Sequence, residues 1–128
     1  IPKAVLDEIE QGKDKGYYTD ISQISWIKVK SISEMNVARY EYLDAGERET
    51  ILLAEEISAK LVIIDEAMGR KAAKAAGLKV TGTLGVLAKA KATGKIRVIA
   101  PLLDEMQAKG IWLGEKLKMM ILKKVGEV

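Results

Sequence analysis

The six residues Lys60–Asp65, KLVIID, constrain the fold more than any other stretch of the chain. A short apolar run that ends in an acid reads as a strand buried on both faces, typical of parallel sheets. A second short strand, Leu78–Thr81 (LKVT), follows after one helix. The class is therefore α/β. In open α/β sheets ligands bind at the carboxyl edge of the strands, which is where Asp65 falls. Asp65 also stands where it could cap the helix that follows, and both readings remain open. Glu66, next in the chain, is a candidate supporting acid.

The segments around these strands have helical periodicity. Ahead of them, Asp44-Ala45-Gly46-Glu47 has the spacing of a capping box, which would account for both acids. On a helical wheel, however, Glu47 falls in the apolar arc with Ile51, Leu53, Ala54 and Ile57, opposite Arg48, Glu49, Glu55 and Glu56. An inward carboxylate is costly unless something pairs with it, and a metal ion can do so. Capping and metal binding are compatible. After Asp65 come a basic helix, Met68–Ala76, closed by Gly77, and a turn from Thr81 to Gly85 into the helix Leu84–Thr93. Thr81 and Thr83 could contact a phosphate there or simply cap the helix.

At the front, Ile1–Glu10 reads as a helix with Pro2 in its first turn and Val5, Leu6 and Ile9 on its buried face. Glu8 lies at the edge of that face, either as a boundary acid or as a ligand. Gln11–Gln23 is a loop with room for a short helix. Ile24–Ile32 alternates as a strand covered on both faces, with Trp26 expected in the core rather than stacked on a nucleobase. A short helix is expected over Met35–Tyr42. Helices over Ala100–Lys109 and Gly114–Val125 close the chain, with Ile111, Leu113, Leu117, Ile121 and Leu122 as core.

At 128 residues the chain is one domain's worth. It contains neither Cys nor His. That excludes thiol catalysis, zinc sites and a Ser-His-Asp triad, and leaves oxygen ligands suited to Mg²⁺ or Mn²⁺. The lack of Cys fits a cytoplasmic location, and no run is long and apolar enough for a membrane helix. Residues 1–65 carry 8 basic and 13 acidic side chains, a net −5, whereas residues 66–128 carry 13 and 5, a net +8. An acidic half beside a basic half suits a cation site next to a polyanion, although Lys-rich helices are also simply well solvated.

The stretches IPKAVLDEI, LDAGERETILLAEEISAKLVIIDEAMGRKAA, GLKVTGTLGVLAKAKATGKI, LLDEMQAKGIWL and VGEV resemble, in order and over nearly the whole chain, a prokaryotic branch of the PIN-domain superfamily related to VapC-type toxins. The resemblance implies a single three-layer α/β/α domain over residues 1–128 with a mostly parallel sheet. It implies a Mg²⁺- or Mn²⁺-dependent ribonuclease, often dimeric and often paired with a small antitoxin. Of the family's clustered acids, Glu8 matches the second, Glu47 the third and Asp65 the fourth, with Asp44 a neighbouring candidate. The family's first strand, carrying the first acid, would precede Ile1. It would be missing from this sequence, supplied by another chain, or lost in an inactive relative.

On this reading Glu8, Glu47 and Asp65 hold the metal. Arg70, Lys71, Lys89 and Lys91 track the RNA backbone, and Thr81 and Thr83 contact a phosphate. The alternative is a non-catalytic binding or assembly module. A nucleotide-binding enzyme is a distant third, since neither GxxxxGK[ST] nor GxGxxG occurs.

Overall fold

The computed structural model describes residues 1–16, 18–33 and 38–128. They form two compact units, Ile1–Thr81 and Gly82–Val128. In the first, helix α1 (Lys3–Gln11) is followed by a 3-10 turn (Ile21–Gln23), helix α2 (Ala45–Ile57), strand β1 (Val62–Ile63), helix α3 (Ala67–Ala75) and strand β2 (Val80–Thr81). The two strands pair in parallel, Val62 opposite Val80 and Ile63 opposite Thr81. Helices joined to a small parallel sheet make the fold α/β.

The core of this unit gathers Ile51, Ala54, Val62, Ala72 and Ala73 from α2, β1 and α3, with Leu43 just before α2 and Ile64 just after β1. Gly77 ends α3 at a positive φ of 80°, which lets its N–H reach Lys74 O and the Leu78 N–H reach Ala73 O. The chain thereby turns straight into β2. Helix α1 has no side-chain cap of its own. The Ala4 N–H donates instead to Glu49 Oε1 on α2 at 3.2 Å, which fixes the start of α1 to that helix.

Several expectations are corrected. β1 is covered on one face only: Val62 and Ile64 are buried, whereas Leu61 and Ile63 are 53% and 57% exposed. The Val62 and Ile64 N–H groups donate to Lys79 O and Thr81 O. Among the described residues no further strand pairs with β1, so the alternate backbone groups face an open edge. An apolar cleft of about 270 Å³ is lined by Ile1, Val5, Leu53, Ile57, Leu61 and Ile63. The expected strand over Ile24–Ile32 is reduced to a single parallel bridge between Pro2 and Lys30. A turn hydrogen bond from the Ile27 N–H to Ile24 O breaks the extended run and leaves Trp26 80% exposed. The α1 face of Val5, Leu6 and Ile9 is half-buried rather than buried. Of the helix expected over Met35–Tyr42, residues 35–37 lie outside the described residues and 38–42 form a turn. Arg39 and the Tyr40 hydroxyl both donate to Glu55 and hold this turn on α2.

The second unit contains α4 (Thr83–Ala92), α5 (Ala100–Ala108) and α6 (Glu115–Lys124). They close on Ile99, Leu103, Leu113, Ile121 and Leu122. Ile111 and Leu117, expected inside, are exposed. Ile111 lies in the α5–α6 connection and Leu117 on the outer side of α6. Among the described residues no helix is long and apolar enough to cross a membrane.

Candidate functional site

Helix α2 begins as its sequence dictates. The Glu47 N–H donates to Asp44 Oδ1 at 2.9 Å, so Asp44 is the N-cap. The reciprocal half of the capping box is not made. Glu47 Oε1 is buried and has no hydrogen-bond partner among the described residues. A buried acceptor without a donor loses the hydration that stabilises its charge.

What surrounds that carboxylate explains its position. It lies against α3 at Gly69, where an added Cβ would sit 3.1 Å from Glu47 Cδ and 3.2 Å from Oε1. The Glu8 carboxylate occupies a similar space over Gly46, where a Cβ would lie 2.5 Å from Glu8 Oε1. Two acids from different helices thus rest on bare backbone. Burial, followed by the like charges of Asp44, Glu66 and Glu8, pushes the Glu47 carboxyl above its ordinary range. Among the described residues every charged group that shifts it is an acid.

The acids gathered around Glu47 are therefore Asp44, Glu66 and Glu8. Asp65 follows the carboxyl end of β1, two residues beyond Ile63. Glu66 acts on Glu47, and as the N-cap of α3 it makes no side-chain capping bond. The two glycines were missed in the sequence. Their signal was available: Gly46 and Gly69 sit inside predicted helices, where glycine costs about 1 kcal/mol relative to alanine and needs a packing reason.

The basic and hydroxyl candidates divide between the units. In the first, Arg70 Nη1 donates to the Asp65 carbonyl, which ties the guanidinium to the β1–α3 turn. Lys71 is exposed on α3, and Thr81 is half-buried opposite Ile63. In the second, Thr83 opens α4, and the N-cap is Gly82, so neither threonine caps that helix. Lys89 is exposed. The Lys91 ammonium is engaged with Glu127 at 2.9 Å.

The family model for the PIN domain matches residues 1–127. The chain belongs to the PIN-domain superfamily. No curated protein and no solved structure gives a significant match. PIN domains are nuclease-like proteins that typically use divalent metals. The donors around Glu47 suit such an ion chemically: all are carboxylates, and one buried oxygen lacks a partner. They do not form a closed cage, since among the described residues no three acids lie close enough to share one ion.

Proposed function

We propose that this PIN domain is a Mg²⁺- or Mn²⁺-dependent ribonuclease that hydrolyses RNA phosphodiester bonds. The observation that carries the reading is the Glu47 carboxylate, partly buried, unpartnered at Oε1 and raised in pKa among three other acids. Such clustering is what a cation relieves.

Glu8, Glu47 and Asp65 are the residues that would hold the ion, with Asp44 the additional candidate. When bound, the ion supplies an activated water and offsets charge on the scissile phosphate. The chain's own residues do the rest. Asp44 holds the first turn of α2, and Glu49 holds α1 so that Glu8, one helical turn after Ala4, stays at Gly46. Arg70 ties down the β1–α3 turn next to Asp65. Lys71, Lys89 and the hydroxyls of Thr81 and Thr83 are proposed contacts to the RNA backbone, and Lys91 joins them only by giving up Glu127. A toxin of a toxin–antitoxin pair, active as a dimer in the cytoplasm, is the biological setting we favour.

The test is cleavage of a single-stranded RNA with and without Mn²⁺. Glu47→Gln and Asp65→Asn should each lower the metal-dependent rate about 100-fold or more. If both variants cut like the wild type, the assignment is abandoned. The second reading, a catalytically inactive binding module, is favoured by the lack of a three-acid group among the described residues. Calorimetry separates the two, because a module shows no Mg²⁺ or Mn²⁺ binding in the millimolar range.

A further inference from the structure

A cleft of about 560 Å³ opens beside Glu8, on the side of α1 that leads into the following loop. Its volume lies within the range of small-molecule sites, roughly 300–1,000 Å³. Glu8 belongs both to this cleft and to the acids around Glu47, so whatever lies in the cleft adjoins the candidate reaction centre.

The lining suits a flat, uncharged, hydrogen-bonding group. Ile9 and Ile21 provide apolar surface, Gln11 and Thr19 provide amide and hydroxyl groups, and Tyr18 provides a ring. That ring is held in place. Its hydroxyl donates to Glu10 Oε1 at 2.9 Å, and the other oxygen of Glu10 accepts from Lys13 at 2.7 Å. A clipped aromatic is a pre-organised stacking surface, because little side-chain entropy remains to be lost on binding. The one acid and one base of the lining, Glu8 and Lys15, give no net positive charge to hold a free phosphate.

We propose that this cleft receives one base of single-stranded RNA next to the scissile phosphate, and that it sets the enzyme's nucleotide preference. Tyr18 stacks on the base, and Gln11 and Thr19 read its edge. Bases of single-stranded RNA are recognised in this way, by an aromatic face together with hydrogen bonds to the edge. The inference rests on the ribonuclease reading but is tested apart from it.

The experiment titrates the whole chain, without metal, with AMP, GMP, CMP and UMP in turn and follows amide NMR shifts. The expected result is saturable shifts at Gln11, Gly12 and Thr19, with one base bound at least about 5-fold more tightly than the weakest. Gln11→Ala should weaken the preferred nucleotide about 5-fold and Tyr18→Leu about 10-fold or more, whereas Tyr18→Phe, which keeps the ring and loses only its bond to Glu10, should lose about 3-fold at most. Gln11 is exposed, so its variant keeps the test open if Tyr18→Leu fails to fold. No shifts in the cleft, or wild-type binding by the Gln11→Ala and Tyr18→Leu variants, overturns the proposal. So does a Tyr18→Phe loss as large as that of Tyr18→Leu. Cleft shifts without any metal-dependent cleavage by the wild type overturn the nuclease reading and support the base site.

Discussion

The carboxylate of Glu8 lies over the bare Cα of Gly46, close enough that a methyl group there would sit 2.5 Å from Oε1. The conflict is with the far end of a flexible side chain, so Glu8 can swing away without disturbing the backbone. Gly46 is in the first turn of α2, where alanine favours the helix by up to about 1 kcal/mol. Gly46→Ala should therefore leave Tm unchanged or slightly raised while lowering metal-dependent cleavage about 10-fold, as Glu8 is displaced. Differential scanning calorimetry and a single-turnover cleavage assay on the same sample check the two halves. A parallel fall in Tm and rate would mean that Gly46 serves packing alone.

Glu47 makes a pH prediction with a definite sign. Its folded-state carboxyl is raised above the ordinary range by burial and by Asp44, Glu66 and Glu8. A raised acid binds its proton more tightly in the folded chain than in the unfolded one. Its charge therefore weakens the fold above the raised pKa. The penalty fades as pH falls through that pKa toward the ordinary carboxylate range. Glu47→Gln should be more stable than wild type at neutral pH in EDTA, and the gap should close on acidification. Mn²⁺ should stabilise the wild type at neutral pH more than the variant. Urea unfolding at several pH values, with and without metal, reads all three differences.

These two acids also mark how far the sequence could be read. The helical wheel placed Glu47 inward, and its carboxylate is half-buried with Oε1 enclosed, yet Ile57 from the same arc is 51% exposed. Asp65 was located at the end of β1 by the apolar run alone. What the wheel could not supply was which acids share a field. Glu8 on α1 and Glu66 at the start of α3 act on Glu47, and that depends on how those elements pack against α2. Trp26 was misread for another reason: alternation in Ile24–Ile32 signals a strand only if a neighbour pairs with it, and the Ile27 turn bond intervenes. Helix boundaries of the second unit were legible within one residue of those observed, since glycines punctuate them.

The one-sided burial of β1 predicts an asymmetry that a strand covered on both faces would lack. Ile64 is 5% exposed within the core, and Ile64→Ala should cost about 3 kcal/mol. Ile63, 57% exposed beside the open edge, should tolerate Ile63→Thr within about 0.5 kcal/mol. Denaturant midpoints of the two variants give the comparison directly. Equal losses would show that another segment covers the outer face of β1.

Glu127 makes the last prediction, within the second unit. Gly126 takes a positive φ of 78° after α6 and turns the chain so that Glu127 reaches the start of α5. There its carboxylate accepts from the Ile99 N–H at 2.8 Å, the Ala100 N–H at 3.0 Å and Lys91 Nζ at 2.9 Å. The N-cap residue Ile99 has no capping side chain, so a residue 28 positions away performs that role. Burial alone would raise this carboxyl. The bonds from Ile99, Lys91 and Ala100 outweigh burial and hold it below its usual range. Because the folded pKa is depressed, the stabilisation is present above the unfolded value and is lost as pH falls through the folded one. Glu127→Gln should lower Tm at neutral pH by about 5 °C, the scale of one lost helix cap, with the difference from wild type shrinking in strong acid. Circular dichroism melts across that pH range test it, and a constant difference at every pH would show that packing, not the charge of Glu127, holds α5.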